Sequence, residues 1–361
     1  MPATGQPLDE PATTEPTEAT GEQPDGGPAS RRRRKWLRIT LILTLIPVVL
    51  IAGAAVAGTF YFRSVTSDVA RVDAFSAVPE AARPTKDTVA KDALNFLVLG
   101  SDTRDPENTG GSRSDTIIVL HLTRDRSAAQ LISIPRDTWV HVPRSADGKH
   151  GDVNAKINAA YAWGGVPLTV QTVESYTGIR IDHVAMVDFA GFKEIVDALG
   201  GVRITVEQAF TSTHSLSKDS VRKFQAGPQT MDGATALDYA RERYAFKDGD
   251  FARIRHQQDV IKAVLDKASS GGVLTNPAKL NAFLRATTSA VGVDKTLNLL
   301  DMAMELRHLR SGNLAFYTSP SSGTGMKGDQ SVVLPDRARA KKLFTAIRKD
   351  DPAAAAAVAA A

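Results

Sequence analysis

The chain has 361 residues, enough for one large domain or two ordinary ones. Its apolar content of 42% is that of a globular protein, and its formal charge of +4 is mild, so where the charges sit matters more than their sum. There is no cysteine, which excludes a disulfide, a zinc–thiolate site and a cysteine nucleophile.

Residues 1–30 carry Asp9, Glu10, Glu15, Glu18, Glu22 and Asp25 and no Lys or Arg. They are rich in Pro, Thr, Glu and Gly and poor in large apolar groups. They therefore bury too little surface to offset the entropy of ordering, and a disordered tail is expected. Four arginines and a lysine follow at 31–35. Residues 39–62 carry no charge and are long enough to cross a bilayer as a helix, with Pro47 as a tolerated kink. Trp36, Tyr61 and Phe62 stand near the ends of this stretch, where aromatic residues favour the membrane interface. The basic cluster just before it places the N-terminus in the cytoplasm and everything after Arg63 outside. A cleaved signal peptide is the alternative, but the long preceding tail argues against it. The expected organisation is a cytoplasmic tail at 1–35, a membrane helix at 36–62 and an extracytoplasmic stalk at 63–92. One globular domain at 93–350 and an Ala-rich, frayed end at 351–361 complete it.

Within the globular region, residues 95–100 (NFLVLG), 116–123 (TIIVLHLT) and 130–134 (QLISI) predict buried strands, the last two joined by a turn at Arg124-Asp125-Arg126. Residues 156–163 predict a helix that Gly164-Gly165 stop, and Pro167 opens the next, ending at Gly178. Further strands are expected at 183–189, 202–206 and 313–318, and helices at 192–199, 250–268, 277–290, 295–309 and 335–349. Mixed strands and helices without strict alternation predict an α/β fold, a three-layer α-β-α sandwich with a mixed central sheet.

Chemistry-bearing residues gather at the predicted strand ends, where α/β sheets place ligands. Asp102 and Arg104 follow the first strand, Arg113 and Asp115 lead into the second, and Arg136 follows the third. Lys156 and Asn158 fall on a following helix. The densest cluster is 239–258 (YARERYAFKDGDFARIRHQQ), with Arg241, Arg243, Arg253, Arg255, Asp248, Asp250 and His256. Asp250 is expected to cap the helix that starts there, with Arg253, His256 and Gln257 on one face. Capping and surface ion pairs explain any one of these residues alone. Together they suit a polyphosphate with a divalent metal, because guanidinium forks pair with phosphate and carboxylates hold Mg²⁺. The sequence contains no Walker loop, no Rossmann glycine fingerprint and no GxSxG elbow. Histidines are too few for a multi-His metal site.

These residues form a pattern that resembles the LytR-CpsA-Psr family of cell-wall ligases. The resemblance rests on LGSDTR (99–104), RSDTIIVLHL (113–122), SIPRDTWVHVP (133–143) and KINAAYAWGG (156–165). It continues through VDFAGF (187–192), LGGV (199–202), MDGATALDYARER (231–243) and GDFARIRHQQ (249–258). What it implies is an Mg²⁺-dependent phosphotransferase. Such an enzyme moves a glycopolymer from a polyprenyl pyrophosphate carrier to the muramic acid 6-hydroxyl of peptidoglycan and releases the lipid carrier. By the same resemblance Arg136, Arg241, Arg243 and Arg253 would hold the pyrophosphate, assisted by Arg104, Arg113, Lys156 and Gln257. Asp115, with Asp102 or Asp250, would hold Mg²⁺, and Asp102 would take the proton of the attacking hydroxyl. Helices within 156–200 and 260–290 would wall a tunnel for the prenyl chain, although core packing accounts for the same residues. His256 stands where many members carry Arg, which would make one phosphate contact weaker or pH-sensitive.

Two other readings use the same residues: a hydrolase of the lipid-linked saccharide, and a non-catalytic wall-binding or regulatory membrane protein. No helix-turn-helix pattern stands on the tail, so a nucleic-acid partner is not expected. Arabinogalactan, teichoic acid and capsular polysaccharide all fit as the polymer. The Ala- and Arg-rich composition points to a high-GC genome such as that of an actinobacterium.

Overall fold

The computed structural model describes residue 64 and residues 69–101, 114–213, 221–306 and 309–361. All belong to the unit Tyr61–Ala361. The expected membrane helix lies outside them, as do Asp102, Arg104 and Arg113. Among the described residues no helix is long and apolar enough to cross a membrane.

The chain enters through β1 (Ala70–Val72), then β2 (Leu94–Ser101), β3 (Ser114–Leu122) and β4 (Ala129–Ser133). A hairpin of β5 (Trp139–Val142) and β6 (Val153–Lys156) follows, then helix α1 (Ala159–Thr177), β7 (His183–Asp188), α2 (Phe189–Ala198) and β8 (Val202–Val206). Next come β9 (Phe210–Thr211), β10 (Lys223–Phe224), β11 (Gly227–Met231), α3 (Gly233–Arg241) and α4 (Asp250–Ala268). The last part holds α5 (Gly271–Leu274), α6 (Pro277–Ala290), β12 (Val291–Asp294), α7 (Leu299–Leu306) and β13 (Leu314–Thr318). It closes with β14 (Ser321–Lys327), β15 (Gln330–Pro335), α8 (Arg337–Arg348) and α9 (Pro352–Ala360).

Seven strands form one mixed sheet in the order β1-β12-β7-β2-β3-β4-β13. Strands β2 and β7 run parallel, β2, β3 and β4 are successive antiparallel neighbours, and β13 adds to β4 in parallel. The alternation of side chains divides the core. Leu97, Leu99, Ile117, Val119, Ile132, Val184 and Met186 face one way and pack with Val166, Val170 and Val173 of α1 and Leu343 and Phe344 of α8. Their neighbours Phe96 and Leu120 face the other way, with Val293, Leu297 and Met302. A separate cluster ties α2, α3 and α4 to the β8–β11 ribbon through Val196, Val202, Ile204, Met231, Tyr239 and Val260.

Three expectations change. From residue 69 onward the supposed stalk is part of the fold: β1 pairs in parallel with β12, and Val72, Ala74 and Val78 are buried in the main core. The Ala-rich end is the helix α9, capped by Asp351 and seated through Ala355, because alanine has the highest helix propensity. Lys156 lies on a strand, at the end of β6 opposite Trp139, and the helix begins three residues later. The helix break at Gly164-Gly165 is present as a kink inside α1, where Gly165 adopts φ 62°, ψ −151°.

Candidate functional site at the strand ends

The register gathers the ends of several strands at one edge of the sheet. Ser101 pairs with Ser114, Ile118 with Ser133, and Ser133 with Thr318, so β2, β4 and β13 finish where β3 begins. Residues just beyond these ends, or just inside β3, therefore face a common space. Asp115 is the second residue of β3, and Arg136 and Asp137 follow β4. The guanidinium of Arg136 donates a hydrogen bond to the Asp115 carboxylate. Its Nε stands 3.8 Å from Asp137 Oδ2, and Lys156 Nζ stands 3.2 Å from Asp137 Oδ1.

Helix α4 supplies the other half. Gly249 is its N-cap, at φ 50°, ψ −104°, a backbone that glycine adopts without a Cβ penalty. Asp250 is thus the first helical residue and not the cap expected of it. Its carboxylate stands 2.7 Å from Arg253 Nη2 and 3.8 Å from Arg243 Nη1. Burial pushes the Asp250 carboxyl above its ordinary value, and Asp137 pushes the same way, against Arg253, Arg136 and Arg243. Burial also lowers Arg253, reinforced by the like charges of Arg136 and Arg243. At Arg136 burial opposes the charge, but Asp115 and Asp137 outweigh it and raise the group. These couplings make Asp115, Arg136, Asp137, Asp250, Arg253 and Arg243 one electrostatic unit.

The unit is under-bonded. Both carboxylate oxygens of Asp250, Nε of Arg136 and Nε of Arg253 are buried without a hydrogen-bond partner. So is Nη1 of Arg241, whose guanidinium lies 4.6 Å over the ring of Phe189. Native proteins leave few such atoms, and each asks for a reason. A polyanion with a hard cation would supply acceptors to the guanidiniums and positive charge to Asp250.

Other residues behave differently from expectation. His256 is not in this unit. It is 5% exposed and packs among Tyr239 (4.3 Å), Phe246 (4.8 Å) and Phe210 (5.8 Å between ring centroids). Burial, with the neighbouring Arg255 charge, takes it down to about 4, so it is a neutral core group and not a pH-sensitive phosphate contact. Positions 253 and 256 lie about 60° apart around a helix, enough to send one to the site and the other to the aromatic cluster. Arg255 is exposed and pairs with Asp248. Gln257 is half-buried. The polar bridge from α4 to the sheet comes from Gln258, whose Nε2 donates to Ser133 Oγ (3.2 Å) and Tyr317 O (3.3 Å).

No sequence motif marks Glu242 itself. It is fully buried, and its carboxylate accepts from the backbone N–H of Arg243, Tyr244, Ala245 and Thr213 and from the Thr213 hydroxyl. It fixes the turn that carries Arg243 between α3 and α4. Its only signal in sequence is an acidic residue lodged between two arginines.

The chain is 32% identical over 293 residues to the cell wall biosynthesis protein LcpA of Corynebacterium glutamicum, a match covering 68% of this chain but only 54% of LcpA, about half its length. It is 33% identical over 244 residues to the polyisoprenyl-teichoic acid–peptidoglycan teichoic acid transferase TagT of Bacillus subtilis, covering 66% of this chain and 72% of that protein. The crystal structure of B. subtilis TagV superposes with a TM-score of 0.60 at 28% identity, over 72% of this chain and 98% of TagV. The profile of the LytR_cpsA_psr family matches residues 62–349, and the chain belongs to that family.

Proposed function

We propose that this chain is a phosphotransferase that moves a glycopolymer from a polyprenyl pyrophosphate carrier to a peptidoglycan hydroxyl. The observation that carries the reading is the under-bonded array at the strand ends: buried guanidiniums and a buried carboxylate lacking the partners that a pyrophosphate and its counter-ion provide. The relatives named as transferases of polyisoprenyl-linked teichoic acid to peptidoglycan support the same substrate class.

In this reading Arg136, Arg253, Arg243 and Arg241 bind the two phosphoryl groups and neutralise charge as it shifts to the leaving side. Arg104 and Arg113 are proposed to assist, with Lys156 and Gln257 at the rim. The muramic acid 6-oxygen attacks the sugar-bound phosphorus. A new P–O bond forms, the P–O–P bridge to the lipid breaks, and the lipid leaves as its monophosphate. The hydroxyl proton passes to a carboxylate, for which Asp102 is proposed. The residues present fit Mg²⁺, since every donor is an oxygen and Asp250 has both oxygens unbonded. Among the described residues no three acidic or imidazole side chains form a ready cage. Mg²⁺ would therefore be held by Asp115 and Asp250, with Asp102, and by the substrate's own phosphates, as this ion usually is. When bound, it supplies positive charge at the pyrophosphate. Residues 39–62 are proposed as a single membrane anchor with the cluster at 31–35 in the cytoplasm and the enzyme outside, where its substrates are. Protease shaving of intact cells that leaves the domain uncut would count against that topology.

The test is incubation of the protein with Mg²⁺, a prenyl-pyrophosphate-linked saccharide and peptidoglycan fragments, read by mass spectrometry of the muropeptides. A saccharide joined to muramic acid through phosphate, lost in Arg136→Ala and Asp115→Ala, is expected. Free saccharide without attachment would replace the ligase by a hydrolase. No turnover, with lipid bound equally by the wild type and both variants, would favour a binding protein.

A further inference from the structure

We propose that the slot between the β5–β6 loop and the kink of α1 is a binding subsite for an uncharged pyranose ring. The slot encloses about 230 Å³ and is lined by Trp163, Gly164, Pro167, Leu168 and Gln171 of α1, residues 145–147 of the loop, and Ala77. It is smaller than a drug-sized cavity.

Local geometry shapes both walls. On one side, Gly164 and Gly165 leave helical geometry, and a Cβ on Gly164 would come within 2.7 Å of Leu168. The kink ends the first segment of α1 at Trp163, which is half-buried. On the other side, the loop is closed by its own hydrogen bonds. Ser145 N donates to His150 O at 2.8 Å, and His150 N donates to Ser145 Oγ at 3.0 Å. Ser145 Oγ and Lys149 N both donate to Asp147 Oδ1, at 2.6 and 3.1 Å. The His150 ring stacks on Trp163 at 5.8 Å between centroids and 14° between planes.

The lining selects the ligand. Trp163, Pro167 and Leu168 offer an aromatic and apolar surface to the CH face of a sugar. Asp147 and Gln171 offer an acceptor and an amide to its hydroxyls. Asp147 stays ionised at neutral pH, its carboxyl held below the ordinary value by the Ser145 hydroxyl and the Lys149 backbone N–H. The lining holds no basic side chain, so phosphate and pyrophosphate find no cationic partner in it. Lys149, 3.9 Å from Asp147 Oδ2, already partners that carboxylate and disfavours a cation. A wholly apolar ligand would strand Asp147 and Gln171. A neutral, polyhydroxylated ring with one apolar face meets all these conditions.

The slot is separate from the strand-end array. Lys156 opens the β5–β6 hairpin opposite Trp139, and the pair Val142–Val153 closes it before the loop. Three strand steps put the loop end roughly 10 Å from Lys156. If the transferase reading holds, a glycan engaged at the array has its next uncharged residues within reach of the slot. The binding itself does not depend on that reading.

The experiment uses the full chain in detergent micelles, titrated calorimetrically with chitotetraose, an uncharged N-acetylglucosamine oligomer. Binding is expected in the wild type and in Arg136→Ala alike, so that failure of the pyrophosphate site would not affect it. Trp163→Ala should weaken binding about tenfold, and Trp163→Phe should retain most of it. Asp147→Asn and Gln171→Ala, which leave the apolar packing of α1 in place, should each weaken it about fivefold. Inorganic pyrophosphate should not compete. Competition by a peptidoglycan tetrasaccharide would place the acceptor in the slot, and competition by an arabinogalactan fragment would place the donor glycan there. No saccharide binding, unchanged affinity in both rim variants, or displacement by pyrophosphate would each overturn the proposal.

Discussion

Two buried arginine–carboxylate pairs in this molecule have the same chemistry and opposite bonding. Arg83 and Glu174 expose 9% and 1% of their side chains, Arg253 and Asp250 expose 5% and 10%. In the first pair Glu174 accepts from Arg83 Nη2 at 2.8 Å, from Arg83 Nε at 3.2 Å and from Ile181 N at 2.9 Å. The guanidinium also lies 4.8 Å over Phe75 and donates to Ile181 O. In the second pair the charges are 2.7 Å apart, yet neither Asp250 oxygen nor Arg253 Nε is in a hydrogen bond. A fully bonded buried pair fixes α1 to the segment before β2. A half-bonded one leaves buried polar atoms whose desolvation no hydrogen bond offsets. Residue type therefore does not separate the two pairs, whereas the state of their hydrogen bonds does.

The largest effect should come from breaking the bonded pair. Arg83→Ala leaves Glu174 buried and uncompensated, and should destabilise the protein by about 3–5 kcal/mol. Thermal denaturation measures it, and turnover per folded molecule should not change. A loss near zero would mean that water or a repacked cation replaces Arg83, and the contrast between the pairs would fail. In the half-bonded region the balance should invert. Arg136→Met should cost about a hundred- to a thousandfold in kcat/KM for the lipid-linked donor. Its thermal stability should fall less than in Arg83→Ala, because Asp115 is 25% exposed and Asp137 keeps Lys156, whereas Glu174 is 1% exposed. Equal losses of stability and activity would make Arg136 structural.

His256 gives a third test, because it sits on the same helix as Arg253 but belongs to the bonded side of the comparison. Its folded value near 4 lies below the ordinary 6.5, so the fold prefers the neutral ring. The stability this confers is complete above pH 6.5 and is lost as pH falls from there through 4, about 3 kcal/mol in all. His121, also lowered by burial, acts in the same window and direction. Asp294, held near 2, acts only below it. His256→Phe should therefore flatten part of the stability loss between pH 6.5 and 4 while leaving activity at pH 7 intact. An activity loss at pH 7 comparable to that of Arg136→Met would return His256 to the phosphate site.

The sequence disclosed the central strands because β2, β3 and β4 are buried on both faces and read as continuous apolar runs. It missed β1, which contributes one side chain, Val72, to the main core and is held by backbone pairing with β12, more than two hundred residues away. It missed the β5–β6 hairpin because four-residue strands carry too little periodicity to outweigh the helix-forming run behind them. For the site, strand ends and Arg–Asp density were enough to assemble Asp115, Arg136, Lys156, Arg243, Asp250 and Arg253. What they left out is rotation about the helix axis. Helical spacing placed His256 beside Arg253, and only the aromatic packing of Phe210, Tyr239 and Phe246 decides where that ring goes.

Glu242 joins the two halves of the comparison: it is as well bonded as Glu174, yet what it holds is the turn of the half-bonded site. Burial works to raise its carboxyl, but the N–H groups of Thr213 and Ala245 and the Thr213 hydroxyl outweigh it and hold the group below its ordinary value. Glu242→Gln keeps one oxygen for the N–H groups of Arg243, Tyr244 and Ala245. It turns an NH₂ toward the Thr213 N–H, 2.6 Å from the oxygen it replaces. A loss of about 1–2 kcal/mol is expected, the smallest of these effects. The same change should raise KM for the lipid-linked donor several-fold with little change in kcat, because it loosens the backbone that aims Arg243 and leaves Arg136 untouched. If the melting temperature falls while KM stays fixed, Glu242 only stabilises the fold. If KM rises, a fully bonded carboxylate sets the geometry of the array that is not.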